Sequence, residues 1–410
     1  MTPSSESLAD VCRTYPAIDN HAHPLLAAAH RTAVPFEGLV SEADGAALAD
    51  SVHTLACFAA TRTLAQLYGL TKEVVWDDVK AKRDKINYDD LCALCFRDAH
   101  IQCILLDDGL GGVQEMSEGF RWHDRFTKSP TRRIVRVEVL AQDILRELFE
   151  ADAALEEPVL ALGDAIVHQF SQAFQGRMQA AARDEDVVAF KSVVCYRTGL
   201  SVNPRPPSRD VLWALLQVYS SWSADSATEI RIAEKALNDY IVCTTLAIAG
   251  DHNKPVQFHT GLGDSDITLA LSSPAHLQST IKAFPQTTFV LLHSSYPYTR
   301  DSGYLTAVYP NVFLDFGEIF PFVSPGGQRD VLRQVMELAP TNKIMWSTDG
   351  HWWPESYHLG SVQARQALFD VLSEYSRGSG LTEAQAIQIA KNALFHTANR
   401  VYGLSLSPAL

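Results

Sequence analysis

Three observations predict a (β/α)8 barrel of the TIM type. Eight short apolar runs read as buried strands, longer stretches of helical periodicity separate them, and these units span nearly the whole chain. The strand runs are Pro16–Asn20, Ile101–Leu106, Ile134–Val139, Phe190–Tyr196, Pro255–His259, Thr287–His293, Val312–Phe316 and Lys343–Thr348. Ala227–Ala249, Gln328–Leu338 and Val362–Tyr375 carry the helical period. The last helix opens on a capping box, Thr382 with Gln385 three residues on, and sets Ile387, Ile389, Ala390 and Leu394 on one face. Two connections are long. Residues 25–99 after strand one and 140–189 after strand three read as mostly helical insertions, leaving 1–410 as a single barrel domain. Loops that follow barrel strands cover the active-site face, so the first insertion is expected to form a lid or pocket wall.

Composition narrows the classes. With 47% hydrophobic and 20% charged residues and a mean hydropathy of −0.04, the chain is neither a disordered polymer, nor collagen-like, nor mostly membrane-embedded. A length of 410 residues fits two or three domains, but eight strands spread along it use the length in one. The formal net charge of −14 repels nucleic acid and anionic lipid. A small-molecule substrate is therefore the expected partner, with homo-oligomerisation left open.

The first residues, Met1–Leu8, lack a basic region and an apolar stretch, so no secretory signal is expected. No apolar run approaches the roughly 20 residues that span a bilayer. Seven scattered cysteines do not form a disulfide framework, and a reducing cytoplasmic location is the simplest expectation. Cys92 and Cys95 have C-x-x-C spacing, open to redox or zinc chemistry. No second such pair follows and the segment Asp89–Asp98 reads as helix, so a buried structural thiol pair is preferred.

The chemistry sits at strand ends. In Ile18-Asp19-Asn20-His21-Ala22-His23, the two histidines at i and i+2 point the same way along a strand. His259 closes the fifth run, His293 the sixth and Asp349 the eighth, each followed by Gly, Ser or Thr. One such polar residue at the edge of an apolar strand is ordinary packing. Four sets on strands one, five, six and eight point instead to a metal site.

This constellation resembles the amidohydrolase superfamily of metal-dependent barrels. The wider text resembles the N-terminal amidohydrolase domain of fungal fluffy-G-type glutamine-synthetase-like proteins. Lys191–Leu200, Gln257–Asp264, Leu291–Arg300, Leu314–Ser324 and Trp346–Glu355 carry the likeness. In those proteins a glutamine-synthetase-like domain follows. This sequence ends at Leu410, so functions that need that domain are not expected of it.

The resemblance implies a hydrolytic or decarboxylating metal site. His21, His23, His259 and Asp349 supply donors for a divalent ion, with zinc the first choice and manganese or iron close behind. Such an ion lowers the pKa of a bound water towards about 7. Asp349 can take the proton of the attacking water, and His293 can polarise a carbonyl or protonate the leaving group. A bridge between two ions could come from Lys191, placed near the start of strand four, or from Glu138, placed towards the end of strand three and read as better positioned. A mononuclear site is the first choice.

Arg197 faces the mouth and could clamp a carboxylate, or pair within its loop. Tyr296, His351 and Trp352 could wall a pocket, or simply pack. Three functions compete: hydrolysis of an amide in a small carboxylate-bearing molecule, of γ-glutamyl type; non-oxidative decarboxylation of an aromatic acid, to which the paired tryptophans would suit; and a non-catalytic signalling or scaffold barrel. The first is preferred.

Overall fold

The computed structural model describes residues 6–71, 73–155, 163–227, 229–378 and 380–410. Its eight strands are β1 (Ala17–Ala22), β2 (Ile101–Asp107), β3 (Arg132–Arg136), β4 (Val187–Ser192), β5 (Val256–Phe258), β6 (Phe289–Leu291), β7 (Val312–Asp315) and β8 (Ile344–Met345). They lie parallel and in chain order across one sheet, with helices between them, which is the (β/α)8 barrel. Except for β3, every strand is buried along its length, as a sheet covered by helices outside and packed within requires. At the seam, Asn20 N–H donates to Trp346 O at 3.3 Å and Asp349 N–H to His21 O at 3.0 Å. The Asp19 carboxylate accepts from the backbone N–H of Thr348 at 2.8 Å and from its hydroxyl.

Each expected run overlaps a strand, and three shifts of boundary bear on the site or its surroundings. β3 ends at Arg136, and Val137 opens the helix Val137–Ala153. β4 ends at Ser192, and a 3-10 turn occupies Val194–Tyr196. Both runs stay apolar past the strand because the next turn is itself buried, and an apolar run alone does not separate strand from buried helix. The helix expected at Ala227–Ala249 begins only at Lys235; before it, Ile230 and Ile232 alternate inward from an extended segment.

Between β1 and β2 lie Leu55–Leu67, Trp76–Arg83 and Tyr88–Arg97 as helices; between β3 and β4 lie Val137–Ala153 and Ala165–Arg183. The first group packs a small apolar cluster of its own, including Phe36, Leu64, Trp76 and Trp353. It is tied to the helix Pro354–Gly378 by a buried ion pair, Arg83 Nε to Glu355 Oε1 at 2.6 Å, to which Tyr68 donates its hydroxyl at 2.7 Å.

All seven cysteines are free thiols. Cys92 packs in the main core and Cys95 in the small cluster, and burial pushes the Cys92 thiol up to about 12. Both are structural. Among the described residues, no helix is long and apolar enough to cross a membrane.

Candidate metal centre

Strand ends bring two groups of donors onto the floor of one cavity of about 460 Å³. In the first, His21 Nε2 lies 3.3 Å and His23 Nε2 3.4 Å from Asp349 Oδ1. His23 Nδ1 is 2.9 Å from the carbonyl of Asp107. A carbonyl only accepts, so Nδ1 carries the proton and Nε2 turns its lone pair to the floor. Asp349 sits in the left-handed region at φ 52°, held by its bond to His21 O.

The second group comprises His259, His293 and Glu318, whose ligand atoms lie within 4.8 Å of one another. His259 Nε2 donates to Leu262 O at 2.6 Å, which leaves its Nδ1 lone pair free. The His259 and His293 rings are 4.4 Å apart, and His293 Nδ1 is 3.4 Å from Glu318 Oε2. His293 and Glu318 adopt φ 68° and 60°, conformations that non-glycine residues keep only when their surroundings impose them. Asp315 imposes the first: its Oδ2 accepts the N–H of His293 at 3.1 Å and of Gly317 at 2.9 Å. Gly317 itself lies so close to β8 that a Cβ would fall 2.0 Å from Ser347 Oγ.

Lys191 stands between the groups. Its Nζ is 3.1 Å from His21 Nε2 and 3.5 Å from His293 Nε2. Because β4 ends at Ser192, Lys191 is at the far end of the strand, not near its start, and burial lowers its pKa to about 8. Glu138 is the converse correction. It lies on the first turn of a helix, fully buried and not among the cavity-lining residues, where it accepts from Ser192 Oγ at 2.7 Å and belongs to neither group.

The electrostatics suit cation binding. Burial, reinforced by Lys191 and neighbouring imidazoles, holds His21 and His259 well below the ordinary histidine range and His293 at about 3. These imidazoles are neutral at pH 7, with lone pairs available. Burial pushes Asp349 up, but the fields of His293, His23 and His21 outweigh it and keep its carboxyl well below the usual range. His21 Nδ1, His293 Nδ1, Glu318 Oε2 and Asp349 Oδ1 are buried without a hydrogen-bond partner. Unpaired buried polar atoms are costly, and a divalent ion among them would satisfy several at once. The donor set therefore fits such an ion.

Arg197, His351 and Trp352 line the cavity wall. His351 Nδ1 donates to Asp349 O at 2.9 Å. Tyr296 is not among the lining residues; its carbonyl instead backs onto Gly261, where a Cβ would come within 2.3 Å. Trp353 is buried in the small cluster against Phe36, so only one of the paired tryptophans reaches the cavity. Glu318 is the residue that sequence reasoning missed. Its signal was weaker than for the others: a metal-capable side chain behind Gly317, past the seventh apolar run and not closing it.

Eight parallel strands that deliver imidazoles, carboxylates and a lysine to one cavity define a metal-site barrel. The amidohydrolase family profile matches residues 146–404, and the chain belongs to this family. A relative among curated proteins is protein fluG of Emericella nidulans, with 43% identity over 414 aligned positions covering 98% of this chain and 47% of that protein. The chain thus spans about half the length of that relative. A Lactobacillus casei structure, provisionally described as a metal-dependent hydrolase, superposes with a TM-score of 0.80 at 24% identity, covering 97% of this chain and 98% of the other. Uronate isomerase from Thermotoga maritima gives 0.64 at 14% identity over 96% of each chain. Glucuronate isomerase from Caulobacter crescentus gives 0.58 at 13%, covering 99% of this chain and 96% of the other. These similarities are of fold.

Proposed function

We propose that the protein is a metal-dependent hydrolase that cleaves an amide bond in a small carboxylate-bearing molecule, of γ-glutamyl type. Arg197 carries the substrate part of this reading. Three other arginines line the cavity, but Arg136 pairs with Asp107, Arg146 with Asp143 and Arg231 with Asp266. Arg197 has no carboxylate partner among the described residues, and its Nε is buried without a hydrogen bond. A planar guanidinium left unpaired in a pocket wall suits a bidentate pair with a substrate carboxylate.

His21, His23 and Asp349 would hold the ion, with His259 the further imidazole on the same floor and Lys191 rather than Glu138 the central group; zinc suits these donors, as do manganese and iron. A bound divalent ion acidifies water and polarises a carbonyl. The chain's own residues do the rest. Arg197 fixes the substrate by its carboxylate. Asp349 accepts the proton of the attacking water and returns it to the leaving nitrogen as the C–N bond breaks. His293, neutral at pH 7, offers an N–H to the carbonyl oxygen instead of giving up a proton outright. Trp352 and His351 shield one side of the cavity.

Turnover of candidate amides in 18O-labelled water tests the reading: one labelled oxygen should enter the carboxylate product. Release of carbon dioxide without incorporation would establish a decarboxylase instead. Absence of any bound metal would favour a scaffold.

A further inference from the structure

We propose that Glu42 binds the α-ammonium of the substrate while Arg197 holds its α-carboxylate, so that the cavity selects a free α-amino acid head with the scissile amide at its other end. The inference rests on the amide-hydrolase reading and narrows its substrate to zwitterions. Glu42 belongs to the stretch between β1 and β2 and lines the cavity. Leu39 and Val40 are buried just before it, and just after it Asp44 Oδ2 accepts the Ser265 hydroxyl at 2.8 Å. The loop of Glu42 is thereby joined to the loop that follows His259 and carries Asp264, which lines the same cavity. Glu42 is partly buried, yet among the described residues no cation and no hydrogen-bond donor stands against its carboxylate. The charges that face it are the carboxylates of Asp349 and Asp264. Asp264 uses one oxygen to accept the N–H of Asp266 at 2.9 Å and likewise has no ion pair among the described residues. An ion at Asp349 would answer that carboxylate, but Glu42 belongs to neither donor group.

The unpaired cation comes from an adjoining segment. Arg197 follows Tyr196, whose hydroxyl lies 2.3 Å from where a Cβ on Gly263 would fall. Arg231 ties the same two stretches together, donating to Tyr196 O at 3.3 Å and pairing with Asp266 at 2.9 Å. Gln142 is a separate sign that a polar ligand belongs in this cavity. It is 6% exposed, lines the wall and leaves Oε1 buried without a hydrogen-bond partner. An unbonded buried amide is costly, and a polar ligand would satisfy it. The charges then choose among ligands. A carboxylate alone would meet the repulsion of Glu42 and Asp264, and an amine alone that of Arg197. An α-amino acid carries both charges on one carbon and answers each with its opposite.

The test is calorimetric titration of the full chain, equilibrated with manganese(II), with L-glutamate and with glutarate, which differs from it only in lacking the ammonium. The wild type should bind L-glutamate about 10- to 100-fold more tightly, the range for a hydrogen bond to a charged group. Glu42→Gln should lose that preference and bind glutarate at least as well as the wild type does. Arg197→Met should weaken both ligands. Circular dichroism establishes that each variant is folded, and Glu42→Ala serves if the glutamine variant is not. Equal or tighter binding of glutarate by the wild type, a preference retained in both Glu42 variants, or binding of neither ligand would overturn the assignment. Incorporation of 18O into amides without an α-ammonium as readily as into those that carry one would overturn it too, while leaving the hydrolase intact. No incorporation from any amide, with L-glutamate still preferred through Glu42, would overturn the hydrolase and keep the ammonium site.

Discussion

The carboxylate of Asp315 accepts the backbone N–H of His293 at 3.1 Å, so a residue on β7 fixes the conformation of an imidazole that follows β6. The same side chain binds Asn20 Nδ2 at 2.9 Å, which ties in β1. Asp315 thus sets the floor without belonging to either donor group. Asp315→Ala should leave several buried donors unpaired and destabilise the fold by about 2–4 kcal/mol, at about 1–3 kcal/mol per orphaned group with partial relaxation. Urea denaturation measures this, and Asp315→Asn should lose less.

Asp349 is read as both ligand and base. Asp349→Asn should fold normally yet lose about 100- to 10,000-fold in kcat, the range for removing a general base. Steady-state kinetics against circular dichroism separates the two effects, and near-normal turnover would contradict the assignment.

Arg197→Met should raise KM for a carboxylate-bearing substrate by about 10- to 100-fold, the loss expected for a hydrogen-bonded charge pair. The matching substrate esterified at that carboxylate should be turned over alike by wild type and variant.

Acid stability should report His123. It is fully buried, accepts the N–H of Leu25 at Nε2 (3.1 Å) and donates from Nδ1 to the carbonyls of Gly119 and Phe120 (3.2 Å each). Burial lowers its pKa from 6.5 to about 4. The folded state therefore binds fewer protons than the unfolded state. Its contribution is full above pH 6.5 and is lost as pH falls from there towards 4, by about 3 kcal/mol in all. Denaturation curves at pH 7, 5 and 4 should show this loss in the wild type and a flatter dependence in His123→Gln.

Gly261 has φ +78° and lies against the backbone of Ser295 and Tyr296, where a Cβ would approach to 2.3 Å. Gly261→Ala should strain the loop that follows His259, lowering metal occupancy along with thermal stability; calorimetry and elemental analysis report the two.

The barrel was legible because the runs that carry β1, β5, β6 and β8 end in a polar residue where a strand meets its loop. His21, His23, His259, His293 and Asp349 stand at such breaks. Lys191 and Glu138 were misplaced relative to one another because the third and fourth runs remain apolar beyond the strand: Val137 and Val139 belong to a helix, and Val193 and Val194 to a turn. Glu318 escaped notice because it lies past Phe316 and Gly317, and only its positive φ returns its side chain to the floor. Arg197 was seen as a possible clamp, but that its neighbours Arg136 and Arg231 are already paired depends on distant carboxylates that spacing does not reveal; only Arg146 has its partner, Asp143, at helical spacing.

The buried Arg83–Glu355 pair joins the layer between β1 and β2 to the helix that begins just after Asp349. Leu26 N–H also donates to Trp352 O at 3.0 Å, and Trp352 N–H to Pro24 O at 3.2 Å. Segments 272 or more positions apart are therefore stitched together. A graft of residues 25–99 from a relative should fail unless residues 350–360 travel with it. Glu42 from the first stretch and His351 and Trp352 from the second line the same cavity, so neither wall can be reshaped without the other following.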